Sequence, residues 1–553
     1  MHQFAKRLKW YLSFATGILE CLGFTGVIYG WVSLVFVLKK EKYFLELCAA
    51  LNNSNSSIAG ARNGTFGCDL QDEHLSLVFT IASFAFNFLA FPSGALFDYF
   101  GTMATRILAI CIYTTATLMM AFSTAASSTL LFPALFLMAI GGILLFITNI
   151  QVGNLFGNNR STIITVYNGA LDSSSAVYQL VKVLYEVRFS MKSMFLFITS
   201  LSSIHLLRTF FLLPRTHIPY PLPEGYNYGI TCETFRSGSL SVQEVTEVQR
   251  RPDLGGNGTV EEENETEEEP EGDRGERQGG MEVSMEDSIQ EGEADRGEIQ
   301  EQVDGTDAMN PQPIEPQARD ITGHEEQIPS FRSCIFTKIF LTHLFWLSVM
   351  SLLHNLYIGT LNPMLAQLAD GDSLKVSRFT NAFAFTQLCG LLFSPFNGLI
   401  MDRNKRKANS PVALSGSASS IRLADMKSAV LSLAITVTQC LLFAIFATIP
   451  TLDVQYLTFV LQVINRAFLF GGNASFITIT FPPCHFGKIF GLGLAVSAVV
   501  SLLEYPLFAL VEGPLQHNPL YLNIGLIILV TLTYVHPINV YLYCRRESRR
   551  EKQ

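Results

Sequence analysis

Charge is scarce in this chain: Asp, Glu, Lys and Arg make up 15% of its 553 residues, against 49% hydrophobic and 12% aromatic, with a mean hydropathy of +0.30. An ordinary soluble domain carries about a quarter charged residues, so this composition excludes that class and indicates a membrane protein. No G-x-x-x-x-G-K-(S/T) phosphate loop occurs, which excludes the usual ATP-driven pump, and no H-E-x-x-H or paired C-x-x-C metal spacing is present. Enzyme chemistry has no anchor, and no cofactor or metal is implied. Basic patches with interleaved aromatics are missing too, so nucleic acid is not an expected partner. Gly491-Leu-Gly493 alone reads as helix packing.

What the chain does have is a series of apolar runs near the roughly 20 residues needed to cross a bilayer. They fall at about 10–38, 75–97, 105–124, 129–150, 161–185 and 192–213, then 337–360, 377–400, 427–449, 454–480, 488–511 and 520–543. The fold class expected is all-α and polytopic, with twelve transmembrane helices, since helices satisfy their own backbone groups in lipid. The first run is too long for a signal-peptide core and stays as a span. The expected domains are a six-helix bundle over 1–213, a linker over 214–332, a second six-helix bundle over 333–543 and a basic tail over 544–553.

The formal charge of −9 hides two opposed regions. From Cys232 to Ser330 there are 28 acidic and 7 basic residues, leaving 19 acidic and 31 basic elsewhere. Low hydrophobicity with high like charge cannot bury enough surface to fold, so 214–332 reads as a disordered linker tying two halves together, with a regulatory or partner-binding tail as the alternative. The basic body fits a positive-inside membrane protein with linker and both termini in the cytoplasm, its tail closing on Arg545, Arg546, Arg549, Arg550 and Lys552. The loop 39–73 then faces outward. Its sequons at Asn52, Asn55 and Asn63 are expected to carry glycan, and Cys48 and Cys68 a disulfide, both of which require that side. Outward sequons favour the plasma membrane.

Polar residues at membrane depth mark the candidate site. Asn168, Asp172, Ser175, Gln179 and Lys182 recur at spacings of four, three, four and three in the fifth span, one helix face. An ionised Asp172 there costs about 2.5–3.5 kcal/mol even on the lenient insertion scale, so it should face a bundle interior or a hydrated cavity. The stripe reads as a substrate path, or as a polar cluster that only holds helices together. Arg466, near the centre of the tenth span with Gln462, needs a carboxylate, for which Glu20, Asp172 and Glu504 are the candidates. Glu20 could instead accept protons from a ligand, Trp31 stack on a planar one or sit in an interfacial belt, and His354 and Gln387 reach the cavity.

The two halves repeat. Gly94-Ala-Leu-Phe-Asp98-Tyr-Phe-Gly101, followed by Arg106, lies between spans two and three, and Gly398-Leu-Ile-Met-Asp402-Arg403 between spans eight and nine. Phe156-Gly157 and Phe486-Gly487 form a second matched pair. Parallel halves with substrate near the bilayer midplane are how major facilitator transporters are built. The pattern resembles the major facilitator superfamily and its G-x-x-x-D-(R/K)-x-G loop, although Tyr99 stands where a basic residue is usual. On that resemblance Gly94, Asp98, Gly101, Arg106, Gly398, Asp402 and Arg403 are gating candidates, an aspartate latching a helix N-terminus or an arginine in one access state. A plain turn and topology anchor is the alternative.

Glu20-Cys-Leu-Gly-Phe, Thr148-Asn149, Asn154-Leu-Phe-Gly, Asp172-Ser-Ser-Ser-Ala, His217-Ile-Pro-Tyr-Pro-Leu-Pro and Thr380-Asn-Ala-Phe-Ala-Phe-Thr-Gln narrow this. Outside the acidic linker the chain resembles solute carrier family 43, whose members carry purine nucleobases or large neutral amino acids by facilitated diffusion. The resemblance implies alternating access around spans one, four, five, seven, eight, ten and eleven, with Asn149 among the site residues. It implies purine substrates such as adenine, guanine and hypoxanthine without ion coupling, because the amino-acid carriers lack an acid at the Asp172 position. Large neutral amino acids remain the second reading, and a non-transporting scaffold the third. The expected partners are a small-molecule nucleobase and the lipid bilayer; oligomeric state is not legible.

Overall fold

Two helical stretches are far too long to cross a bilayer once. Glu73–Phe122 runs for 50 residues and Ala125–Glu186 for 62, about 75 and 93 Å at 1.5 Å per residue against about 30 Å of hydrocarbon. Each doubles back, at Gly101 (φ 75°) and Gly157 (φ 41°), where positive φ favours a residue without a side chain. The contacts show the return. Gln71 donates to the Tyr43 carbonyl oxygen at one end of the first stretch, and Ser123 meets the Tyr43 hydroxyl at the other, at 2.6 and 2.8 Å. Likewise Ser128 accepts from the Phe44 N–H and Tyr185 donates to Glu41, so the second stretch leaves and rejoins the same turn.

The computed structural model describes residues 2–48, 69–223, 226, 228, 329–370, 372–403, 418–512, 514–516 and 518–550. Asn52, Asn55, Asn63, Cys68 and nearly all of the acidic linker lie outside them. Cys48 lies within and is disulfide-bonded. Among the described residues all regular structure is helical. Spans one and eight are bent by 51° and 43° at short breaks. The tenth, Val454–Thr480, is the polar one: Gln455, Gln462, Asn465 and Asn473 are fully buried in it, which only neighbours with matching polar groups permit. With that helix added and each of the two stretches that double back counted twice, the helices among the described residues make twelve crossings in two halves.

The fifth span is not one continuous helix. Arg160–Ser173 ends and Ala176–Glu186 begins across Ser174 and Ser175. Ser174 and Ser175 turn their hydroxyls back to the Leu171 and Asp172 carbonyls, the competition with the helix ladder expected of serine. This break divides the expected single polar face. Asp172 points toward the other half, whereas Gln179 accepts from Ser33 and Lys182 lies over the Phe36 ring, both in the first span.

The linker's beginning departs from the sequence reading as well. Residues 214–223 carry no apolar periodicity, yet they form an ordered strap across one end of the N-terminal half, hereafter the linker face. Polar bonds hold it. Gln151 accepts from the Ile218 N–H (2.9 Å) and Asn154 donates to the Ile218 carbonyl (2.8 Å), while Thr102 and the Met103 N–H donate to Thr216 and Arg215 carbonyls. Tyr220 covers the Arg160 guanidinium at 3.9 Å. On the far side of the linker, Phe331 packs between Phe91 of the N-terminal half and His485 of the C-terminal half.

Removing a partner from a buried backbone N–H costs about 1–3 kcal/mol, or one to two orders of magnitude in local opening. Gln151→Ala is therefore expected to speed hydrogen exchange of the Ile218 amide by at least about tenfold while helices of the C-terminal half keep their wild-type rates. Mass-spectrometric exchange on the purified protein measures both; unchanged exchange at Ile218 would contradict the strap.

Candidate functional site

Two matching contacts join the halves at the linker face. Asp98 accepts from the Gly487 and Lys488 N–H groups, both at 2.8 Å, at the N-terminus of the eleventh-span helix Phe486–Ser501. Asp402 accepts from the Ser161 and Thr162 N–H groups at 3.2 and 2.7 Å, and from the Thr162 hydroxyl, at the N-terminus of the fifth span. Each aspartate thus caps a helix of the opposite half, where free N–H groups and the helix dipole favour negative charge. Glycines let the backbones approach. A Cβ on Gly94 would strike the Gly487 carbonyl, and one on Gly398 the Thr162 backbone. Arg160 adds a bond from its own half to the Thr478 carbonyl of the tenth span at 3.0 Å.

At the level of the serine break the halves share an ion pair. Arg466 Nε donates to Asp172 Oδ1 at 3.0 Å. Asp172 Oδ2 is buried and has no partner among the described residues. The guanidinium lies 5.2 Å from the Tyr29 ring centre and 5.3 Å from that of Phe470, and Asn87 donates to the Tyr29 hydroxyl. Beside it the break in span eight meets the break in span five: Ser173 donates to the Leu388 carbonyl and accepts from the Leu391 N–H, both at 3.0 Å. One turn from Arg466 on its own helix, Gln462 accepts from Gln387 at 2.8 Å and approaches His354 Nδ1 at 3.5 Å. His354 Nε2 is bonded to Asn465 Oδ1 at 2.8 Å. The result is an acceptor oxygen, a guanidinium, an aromatic ring and a row of amides where the halves meet.

Glu20 is elsewhere. Its carboxylate, 2% exposed, is held by Arg106 and Arg208, by His205 Nδ1 at 2.7 Å and by Asn149 at 2.7 Å, all within the N-terminal half. Several readings from sequence change accordingly. Of the three carboxylates weighed for Arg466, Asp172 is the partner; Glu20 is engaged by Asn149 and by cations of its own half. Arg106 does not serve the Asp98 turn: it sits past the Gly101 reversal and points into its own bundle, bonded to Glu20, Thr148 and Thr209. Arg403 donates to the Ile400 and Ser428 carbonyls of its own half rather than across the interface. Trp31 is buried in the apolar core, whereas Tyr29, two residues earlier, faces the Arg466 guanidinium. Asn168 bonds back to Ile164 and Ser175 to Asp172. Glu504 faces the span-seven backbone at Gly359.

Sequence reasoning missed Tyr29, Asn87 and Ser173, which look like ordinary aromatic and small polar residues in apolar runs. Arg208 and His205 were legible. Two further basic side chains inside the sixth span should have been set against Glu20 by the same rule that demanded a partner for Arg466.

Glu20→Gln leaves two buried guanidiniums with no counter-charge, a loss of about 3–5 kcal/mol. We expect a markedly lower unfolding temperature in detergent and poor recovery of monodisperse protein. An unfolding temperature within the error of wild type would show the cluster contributes little.

Comparison with known proteins fits this geometry. A model of the Major Facilitator Superfamily matches residues 43–504. The chain is 45% identical over 97% of its length, and 97% of the relative's, to "Equilibrative nucleobase transporter 1" of Bos taurus. It is 30% identical to "Large neutral amino acids transporter small subunit 3" of Homo sapiens, over 98% of this chain and 95% of that protein. Among solved structures, the proton:xylose symporter XylE superimposes with a TM-score of 0.52 at 11% identity, covering 98% of this chain and 96% of that one, a likeness of fold alone.

Proposed function

The chain belongs to the Major Facilitator Superfamily, as a membrane transporter of solute carrier family 43 and not an enzyme, and from that premise we propose that it carries purine nucleobases by facilitated diffusion. The observation that carries the substrate class is the unpartnered Asp172 Oδ2 beside a paired Arg466. Such a pair is neutral overall and keeps one acceptor oxygen free. A purine edge complements it: a ring or amino N–H donates to Asp172, a ring nitrogen or carbonyl accepts from the guanidinium, and Tyr29 covers a face of the heterocycle. The relative at 45% identity is named for nucleobases. The second reading, a large neutral amino acid, has the 30% relative in its favour. A zwitterion would have to draw Asp172 and Arg466 apart to solvate its two charges, which makes it the poorer fit.

The cycle we infer is alternating access driven by the substrate gradient alone. The linker face faces the cytoplasm in this reading, by the positive-inside bias of the chain and its outward sequons, and the protein resides in the plasma membrane. With both aspartate caps made, that side is shut. Opening it releases Asp98 from the eleventh span and Asp402 from the fifth, while substrate contact with both Asp172 and Arg466 couples occupancy to the approach of the halves.

In expressing cells, saturable and sodium-independent adenine uptake is expected to fall at least about tenfold in Asp172→Asn and in Arg466→Ala, the loss of one or more charge-assisted bonds, at unchanged surface expression. Leucine competes poorly. Wild-type adenine uptake in both variants, or leucine uptake without adenine uptake, would overturn the assignment.

The caps are tested separately. Ser475 is buried between the halves, so a cysteine placed there reports opening of the linker face. Asp98→Asn with Asp402→Asn removes two charge–dipole contacts of about 0.3–1 kcal/mol each. Labelling of that cysteine from the linker side is expected to rise several-fold; equal labelling with and without the aspartates would mean they do not hold the gate.

A further inference from the structure

A groove on the C-terminal half, remote from the substrate pair, has no part in transport as described above. It runs between spans nine and twelve at the linker face and encloses about 620 Å³. Four cations line one end of it, Arg403, Lys427, Arg545 and Arg549, and among the described residues no acidic side chain does. Both helices grade in the same direction. On span nine the wall passes from Lys427 to Leu431 and Ala434, about 10 Å along the axis, and on span twelve, whose last helix runs Val535–Arg550, from Arg549 and Arg545 back to Tyr541, about 12 Å. Positive charge stands at the mouth and apolar surface deeper toward the bilayer core. Leu431 and Tyr541 are 44% and 53% exposed, so the apolar wall lies open on the outside of the bundle, where lipid surrounds a multi-pass protein.

A soluble anion would use the mouth and leave the wall bare; an acyl chain alone would use the wall and leave four cations unanswered. We propose that the groove binds an anionic phospholipid whose headgroup carries more than one phosphate. The phosphates lie between the arginines of span twelve and Lys427, and the acyl chains follow Leu431 and Ala434 into the membrane. Arg403 stands at the same end with its guanidinium bonded to the Ile400 and Ser428 carbonyls, which ties the ends of spans eight and nine together beside the headgroup. Basic pockets between spans at a membrane surface are suited to such lipids, and guanidinium groups to phosphate oxygens.

The test is binding to the purified full chain. Fluorescent short-chain phosphatidylinositol 4,5-bisphosphate is titrated beside short-chain phosphatidylcholine and free inositol trisphosphate. The bisphosphate lipid should bind saturably, at least tenfold tighter than either. Lys427→Gln and Arg549→Gln should each weaken it about fivefold, the equivalent of roughly 1 kcal/mol for one cation at a membrane surface, while Arg546→Gln, outside the groove, leaves it unchanged. The side chains replaced are exposed, and matching unfolding temperatures establish that the variants are folded. Three results would overturn the proposal: equal binding of phosphatidylcholine, equal binding of free inositol trisphosphate, or the same loss from Arg546→Gln as from the groove variants.

Discussion

Asp172 and Arg466 sit where hydrocarbon surrounds the protein, on different halves, and neither is tolerable there without the other. Stripping one charge from such a pair costs about 3–5 kcal/mol because the other is left buried and unanswered, so the two residues fix which faces of the halves meet. Everything adjacent follows from accommodating it. The serine break in span five and the Cys389–Gly390 break in span eight let the two backbones meet beside the aspartate, with Ser173 bridging between them. The tenth span tolerates its buried amides because Gln387, His354 and the Thr436 carbonyl answer them.

The internal repeat is expressed at the linker face in chemistry as well as in topology. Asp98 and Asp402 perform the same act in opposite directions, each half capping a helix of the other. A charge–dipole contact is worth a fraction to about 1 kcal/mol, a strength compatible with the gating role proposed above. The Glu20 cluster is of another kind. Enclosed by two arginines, a histidine and an amide of one half, it ties together spans one, three, four and six of that half.

Much of this was legible from residue types and spacing. Apolar run lengths predicted the twelve crossings, the G-x-x-x-D turns the repeat, and the cost of an unpaired charge in lipid demanded a carboxylate for Arg466. Which carboxylate was not legible, because helix periodicity orients a side chain on its own helix and says nothing of which helix stands opposite. The same limit put Trp31 in place of Tyr29. Here the first span passes through a π turn at Cys21–Thr25 and a tighter one at Val27–Gly30, so counting by 3.6 residues misassigns the face beyond the break. The strap at 214–223 was missed for a different reason. It is ordered by side-chain amides reaching its backbone, a pattern with no apolar signature for a periodicity argument to find.

In the proposed cycle the free oxygen of Asp172 and the guanidinium of Arg466 together receive the substrate. Calorimetric titration of adenine into the purified protein tests it most directly, because it reads binding without transport. Wild type is expected to give a saturable heat that is absent in both Asp172→Asn and Arg466→Ala, with leucine giving none in any of the three. Adenine binding of wild-type strength in the Asp172→Asn protein would contradict it.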